Sequence, residues 1–361
     1  MLAKTPIKIA LARLKPKRRT AVVLACLTGI LVACLLLAAA FGAVSIPPLD
    51  IAKMTLNKIG LTHFSATWPA TNETILFQIR LPRIIAAALV GAALSSAGVL
   101  FQGLLRNPMA DPYIIGTSAG AAFGAVLAMM LPLSIAFFGF GLIPVAAFLG
   151  SLAAVLLVYN LARVGGKTPI VSMLLAGFAV SSMLAALMSF LITMNDALQL
   201  KLHSVFSFLM GGIWVSDWKQ IAIIAPVIVG GIVIARFFAF RLNAFALGEE
   251  GAAYLGIEVE RVKLIILALG SLLTAAAVSL SGLVGFVGLV VPHAVRLVLG
   301  PEHSLLLPAA ALSGGAFLVL AELLARTLLA PSEIPVGIFT ALVGAPFFIY
   351  LLRRTRREYA F

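Results

Sequence analysis

The feature that most constrains this chain is the length of its uncharged stretches. From Pro112 to Ala162 the sequence contains no Asp, Glu, Lys or Arg, and proline and glycine residues lie near the middle of the stretch. This is long enough for two membrane-spanning helices and a turn, because one helix crosses the hydrocarbon core with about 20 residues. Hydrophobic residues make up 62% of the chain and charged residues 11%. A soluble domain could not bury that share, so we predict that lipid surrounds the protein.

The hydrophobic pattern predicts an all-α polytopic membrane protein, with residues 1–361 forming a single membrane domain. The eighth span is short and rich in glycine, so we expect it to be bent or to cross only part of the membrane. The ten predicted spans cover approximately 20–44, 83–103, 114–131, 142–162, 169–193, 219–237, 262–283, 284–299, 305–327 and 336–352.

The distribution of Lys and Arg predicts the orientation. Basic residues are concentrated in segments 1–19 and 353–357, and ten spans place both termini on one side. By the positive-inside rule that side is cytoplasmic, and segment 240–261 becomes a cytoplasmic loop. The net charge of +13 therefore follows membrane topology and does not indicate a nucleic-acid partner.

The segment Gly166-Lys167-Thr168 resembles the end of a phosphate-binding loop. That motif needs a glycine five residues before its last glycine, and position 161 is Leu. We therefore interpret the segment as a cytoplasmic loop that opens a span, and we expect the chain to carry no ATPase of its own.

The sequence predicts neither a catalytic residue nor a metal site. The histidines are far apart along the chain, with no metal-ligand spacing and no nucleophile–base pair; they are His63, His203, His293 and His303. Glu322 is nearly the only acidic residue within a span, and Arg326 follows it at the i,i+4 spacing that favours an ion pair. Two other classes, an ion-coupled secondary transporter and a membrane enzyme, would need intramembrane carboxylates or clustered polar groups that this sequence lacks.

Four groups of motifs in order along residues 80–350 resemble the permease subunit of the iron-siderophore, haem and cobalamin class of ABC importers. The first group is Arg80-Leu81-Pro82-Arg83. The second is Gly103 to Pro112, including Arg106-Asn107-Pro108, together with Gly116-Thr117-Ser118-Ala119-Gly120, and the third is Ala246 to Gly256. The fourth is Gly285 to Arg296, including Pro292-His293, followed by Ile334-Pro335-Val336-Gly337 and Gly344-Ala345-Pro346.

This resemblance implies a fold like that of the cobalamin-importer permease and a homodimer with the transport pathway at its interface. It also implies two cytoplasmic ATPase subunits, which would bind ATP and Mg, and an extracytoplasmic substrate-binding protein. The permease itself would hold no cofactor and would lie in a bacterial or archaeal cytoplasmic membrane. Cargo would pass from the binding protein by alternating access. A ferric siderophore is the first expectation, because it represents the largest branch of the class, and cobalamin and haem are the alternatives.

The resemblance also assigns roles to particular residues. A short coupling helix that receives the ATPase movement is implied at Leu247, Gly248, Glu249, Glu250, Gly251, Ala252, Ala253, Tyr254, Leu255 and Gly256. The cytoplasmic end of the fifth span, with Thr168, Ile170, Val171 and Ser172, is implied to line a gate. Arg80, Arg83 and Arg326 are implied to receive glutamates of the binding protein, and we expect them to face outward.

Overall fold

The computed structural model describes residues 16–355 except positions 43, 67, 134, 138 and 216, and this part of the chain is almost entirely helical. In chain order the α-helices are α1 (Pro16–Ala40), α2 (Pro48–Ile59), α3 (Ala70–Thr74), α4 (Leu81–Leu104), α5 (Thr117–Met130), α6 (Leu142–Ala162), α7 (Ile170–Met194), α8 (Asp196–Leu200), α9 (Leu202–Met210), α10 (Trp218–Phe237), α11 (Ala239–Phe245), α12 (Glu249–Tyr254), α13 (Val259–Ser281), α14 (Val287–Leu299), α15 (His303–Thr327) and α16 (Val336–Thr355). A π-helical turn (Ile75–Arg80) leads into α4 and a 3-10 turn (Pro112–Ile115) leads into α5; strands β1 (Ala136–Phe137) and β2 (Phe140–Gly141) pair in a short hairpin.

The prediction of an all-α polytopic membrane protein is confirmed, and each of the ten predicted spans corresponds to an apolar helix. Within the described residues, 7 helices are long and apolar enough to cross a membrane, and shorter apolar helices cover Thr117–Met130, Val287–Leu299 and Val336–Leu351. The short eighth span is α14, with 13 residues and an internal Pro292. The sequence did not predict α2, α8 and α9, which lie between the spans.

Helix α4 lies at the centre of the subunit and packs against α13, α14 and α15. A Cβ on Gly91 would overlap the Gly314 carbonyl of α15, and one on Gly98 would overlap the Gly288 carbonyl of α14. Only glycine permits this separation of helix axes, because any larger residue would force the backbones apart. Small residues thus allow close helix packing at both positions.

The turn between α4 and α5 explains several residues of the second motif. The Asp111 side chain accepts a hydrogen bond from the Tyr113 N–H (2.8 Å), and the Tyr113 hydroxyl donates to the Val284 carbonyl (3.1 Å). Burial raises the pKa of Asp111 to about 6. Gly116 has a φ of +86°, which favours glycine. The turn is thus held by its own side chains and attached to the segment before α14.

Candidate functional site

Two clusters of charged side chains lie at opposite ends of the spans, and we name them after the predicted orientation. The outer cluster consists of Arg80, Arg83, Glu322, Arg326 and Glu333. The inner cluster consists of Thr168, Glu249, Glu260 and Lys263. Together they contain most of the predicted site residues that form polar contacts.

In the outer cluster Arg83 bridges two carboxylates. Its Nε lies 3.2 Å from Glu322 Oε1 and its Nη1 lies 2.7 Å from Glu333 Oε1. Glu322 is fully buried and is also paired with Arg326, whose Nε lies 3.5 Å from Glu322 Oε2. The predicted ion pair between Glu322 and Arg326 is therefore confirmed, and Arg83 joins it from α4.

Arg80 and Arg326 do not face outward, which corrects the expectation from the sequence. Arg80 is 4% exposed and donates to the carbonyls of Ala39 (2.9 Å) and Val44. Arg326 is 8% exposed and donates to the carbonyl of Ala38. The last carbonyls of α1 have no partner within their helix, and these two guanidinium groups supply it.

Arg83 and Glu333 are the accessible pair of the outer cluster, with side chains 18% and 55% exposed. The hydrogen bond from Arg83 lowers the pKa of Glu333, so this carboxylate is ionised at neutral pH. The pair lines a cavity of about 340 Å³ together with His203 and Trp214. Of the three arginines of the outer cluster, Arg83 therefore has the most exposed side chain, and Glu333 is its more exposed partner.

The predicted coupling segment forms α12 between two left-handed glycines. Gly248 (φ +95°) precedes the helix and Gly256 (φ +77°) follows it. At its end the Gly256 N–H donates to Ala253 (2.9 Å) and the Ile257 N–H to Ala252 (3.2 Å), which is the Schellman arrangement. Gly256 thus lies just after the end of the helix.

The surface of α12 is apolar on one side and acidic on the other. Leu247, Tyr254 and Leu255 are exposed at 69%, 91% and 55%, whereas Ala252 is fully buried against its own subunit. Of the two alanines implied to meet a partner, only Ala253 is accessible. A cavity of about 740 Å³ beside the helix is lined by acidic and basic side chains, namely Lys167, Glu249, Glu250, Glu258, Glu260 and Arg261.

Lys263 connects α12 to the start of α7. Its Nζ lies 2.7 Å from Glu249 Oε2, 3.0 Å from Glu260 Oε1 and 3.2 Å from the Thr168 carbonyl oxygen. Glu260 Oε2 in turn accepts hydrogen bonds from the Thr168 N–H (2.9 Å) and hydroxyl (2.5 Å). The lysine side chain is 8% exposed. Three separate elements, α12, α13 and the segment before α7, are therefore joined by one buried ammonium group.

The residues implied to line a gate have different surroundings. Thr168 is buried in the inner cluster and Val171 is 68% exposed, while Ile170 and Ser172 are partly buried. The preceding loop closes through a bridge between Val164 and Lys167, with Gly165 and Gly166 both at positive φ. This turn agrees with the interpretation of Gly166-Lys167-Thr168 as a loop that opens a span.

Sequence reasoning missed Lys263 and Glu260. Both were grouped with the charged loop, although their i,i+3 spacing at the beginning of α13 favours an ion pair. A lysine at the start of an apolar span is a signal for a buried partner. The third member, Glu249, could not be linked to them because its distance depends on how the loop folds back.

Comparison with known proteins identifies the family. The model of the FecCD transport family matches residues 30–354. The chain belongs to the FecCD transport family.

Among the residues that the structure describes, no group of three or more His, Cys, Asp or Glu side chains could hold a metal ion.

Several curated FecCD relatives match most of the chain. It is 48% identical to the cobalamin import permease of Halobacterium salinarum over 285 residues, which is 79% of this chain and 75% of that protein. It is 40% identical to the hemin transport permease of Yersinia pestis, covering 82% and 89%. A probable siderophore permease of Bacillus subtilis is 36% identical and covers 95% and 97%.

The fold also matches a solved structure. A chain described in an inward-facing conformation of a transporter assigned to the metal-chelate ABC type aligns with a TM-score of 0.75 and 30% identity. The alignment covers 92% of this chain and 99% of that one. The arrangement of helices described above is therefore that of a known transporter architecture.

Proposed function

We propose that this protein is the membrane permease of an ATP-driven importer of metal chelates. The observation that carries the proposal is the FecCD match over residues 30–354, which includes both charged clusters and every span except the start of the first. Permeases of this kind act with ATPase subunits and an external binding protein. Such partners would bind ATP and Mg, and the permease would only transmit movement and form the path.

The relatives favour a bulky chelate as cargo. The sequence led us to expect a ferric siderophore, but a relative that is 48% identical to this chain carries the name of a cobalamin permease. The hemin and siderophore relatives are 40% and 36% identical. We therefore place cobalamin first, followed by haem and ferric siderophores.

The geometry of α12 supports its role as the contact with the ATPase subunits. Its exposed Tyr254 and Leu255 offer an apolar contact, since large exposed side chains at a loop mark interaction sites on soluble surfaces. Lys263 then links this helix to the start of α7, so a force on α12 reaches Thr168 through hydrogen bonds. This continuous path supports a gate at the beginning of α7.

The exposed side of α7 supports a homodimer. Only Met173, Gly177 and Val180 are buried in this helix of 25 residues. Its exposed large apolar side chains recur at near-helical spacing, at Val171, Leu175, Phe178, Met183, Leu187, Phe190 and Met194. We propose that a second copy of the chain covers part of this surface and that cargo passes between the two copies.

Reconstitution tests the proposal directly. The permease is placed in liposomes with the ATPase and binding protein from the same organism, and uptake of cobalamin, haem and a ferric siderophore is measured in parallel. We expect ATP-dependent uptake of one cargo, lost without the binding protein. Uptake that needs an ion gradient but neither ATP nor the binding protein would refute the proposal in favour of a secondary transporter.

A further inference from the structure

A polar cavity separate from both clusters lies at the inner end of α4. It has a volume of about 480 Å³, and its polar lining consists of Gln102, Arg106, Asn243, Arg296, Glu302 and His303. Two of these residues, Arg106 and Arg296, carry positive charge. No role in coupling, gating or docking has been assigned to this cavity.

Arg296 is the main observation. Its Nε and Nη2 are buried and have no hydrogen-bond partner, and neither Arg296 nor Arg106 forms a salt bridge within the described residues. Removing guanidinium N–H groups from water without an acceptor is unfavourable, because the lost hydrogen bonds to water are not replaced. Such a cost is removed when an anion enters the cavity and accepts these hydrogen bonds.

The acidic residue in the lining, Glu302, forms no salt bridge with Arg296 or Arg106 within the described residues. Glu302 Oε1 accepts hydrogen bonds from the Ser304 N–H (2.9 Å) and the Asn243 side-chain amide (3.2 Å). Glu302 Oε2 accepts from the Leu305 N–H (3.1 Å). Glu302 therefore caps the start of α15, and its single negative charge is outnumbered by the two arginines of the lining.

Two other lining residues present unpartnered acceptors. His303 Nδ1 lies 2.6 Å from Asn243 Oδ1, which is only an acceptor, so Nδ1 carries a proton and Nε2 is an acceptor. His303 Nε2 and Gln102 Oε1 are buried and have no partner among the described residues, so they could accept only from the P–OH group of a protonated phosphate. Arg106 lies beside Gly248. A Cβ built on Gly248 would be 3.5 Å from Arg106 Nη1. The cavity thus extends from the centre of the subunit to the segment before α12.

We propose that this cavity binds a phosphate group, supplied either by free phosphate or by the headgroup of an acidic phospholipid. The planar fork of an arginine matches phosphate oxygens, and a tetrahedral oxyanion has enough oxygens to serve Arg296 and Arg106 together. A carboxylate has only two oxygens, and a bidentate pair with one guanidinium group would occupy both of them. The inference goes beyond the transport function, because it does not depend on the identity of the cargo.

Binding of radiolabelled orthophosphate to the purified chain in detergent, measured by equilibrium dialysis, tests the free-phosphate source. We expect one site per chain, weakened about tenfold or more in Arg296→Gln, because charge-assisted hydrogen bonds are lost. Arg106→Gln is the second variant, since its exposed side chain can change without disturbing the fold. The control is Arg241→Gln, an exposed arginine stacked on Phe238, which should bind like the original chain.

Native mass spectrometry of the protein from nanodiscs tests the lipid source. Retention of phosphatidylglycerol, but not phosphatidylcholine, that is lost in Arg296→Gln and Arg106→Gln supports a headgroup phosphate. The proposal is overturned if neither probe distinguishes the variants from the original chain. It is also overturned if the variants lose only ATPase-subunit binding, because that result would place a carboxylate of the ATPase in the cavity.

Discussion

At the scale of single residues, three arginines that look equivalent in the sequence have different surroundings. Arg80 and Arg326 are buried and bonded to carbonyls at the end of α1, whereas Arg83 is partly exposed and paired with Glu333. A charge in contact with solvent can exchange partners, but a buried guanidinium cannot leave its acceptors without a large cost. We therefore expect Arg83 to dock the binding protein and the other two to support the structure.

Replacing Glu333 tests this assignment. Arg83 must release Glu333 before it can pair with a carboxylate of the binding protein, so Glu333→Gln should strengthen docking. We expect a several-fold increase in affinity, and Arg83→Gln should weaken docking and reduce its sensitivity to salt, because one attractive charge is removed. Surface plasmon resonance at low and high salt measures both effects. Arg326→Gln is the matched variant; it should lower the melting temperature without a specific effect on docking, and unchanged docking in Arg83→Gln would contradict the assignment.

Lys263→Met tests the connection between α12 and α7. The change leaves Glu249 and Glu260 without their common cation and separates α12 from the start of α7, although both carboxylates keep contact with solvent at 38% and 35% exposure. We expect stimulation of the ATPase by the binding protein to fall about tenfold or more, while basal ATP hydrolysis remains. Arg261→Met is the control, because that side chain is 73% exposed in its pair with Glu258 and should change little. Full stimulation in Lys263→Met would show that the inner cluster has no part in coupling.

At the scale of elements, the packing of α4 depends on glycines at helix crossings. Gly91 faces the Gly314 carbonyl without room for a methyl group, whereas a Cβ built on Gly230 in α10 would meet no atom of a neighbouring residue within 4 Å. Both glycines lie inside apolar helices, so their sequence surroundings are similar. Only the neighbouring helix distinguishes them.

Gly91→Ala should therefore destabilise the protein. Overpacking of a close contact costs about 1–3 kcal/mol, and here the obstacle is backbone that cannot rotate away. Gly230→Ala should be neutral or slightly stabilising, because alanine favours helix more than glycine does. The melting temperature in detergent measures both. Equal melting temperatures for the two variants would contradict the packing of α4 against α15.

Helix α12 provides a second matched pair. Ala253→Arg places a charge on the exposed side of the helix and should block assembly with the ATPase subunits while the permease stays folded. Ala252 is fully buried, so Ala252→Arg should instead lower the melting temperature of the permease itself. Co-purification of the ATPase and thermal unfolding separate the two effects. Normal ATPase binding by Ala253→Arg would exclude this surface from the interface.

At the scale of the whole molecule, the homodimer predicts which positions of α7 meet a second copy. Val171→Cys in a chain with Cys26 and Cys34 replaced should form a disulfide between subunits, to an extent that changes with nucleotide. Met173→Cys is the control, because Met173 is 4% exposed and should stay unlinked. Gel electrophoresis without reductant measures the product. Absence of a linked dimer at Val171 in every nucleotide state would place this end of α7 away from the dimer axis.

The sequence by itself determined the class of fold, the ten spans and the family motifs. These follow from local properties: a helix needs about 20 apolar residues to cross lipid, and turns need glycine at positive φ, as at Gly116 and Gly256. The Glu322–Arg326 pair was predictable for the same reason, since one turn of helix fixes its spacing.

The roles of Arg80, Lys263 and Arg296 were decided only by the tertiary structure. Each depends on groups distant in the chain, such as the Ala39 carbonyl beside Arg80 and the Thr168 carbonyl beside Lys263. Burial of a charge and the partner that compensates it are properties of packed elements, because the dielectric surroundings of a side chain are set by every helix around it.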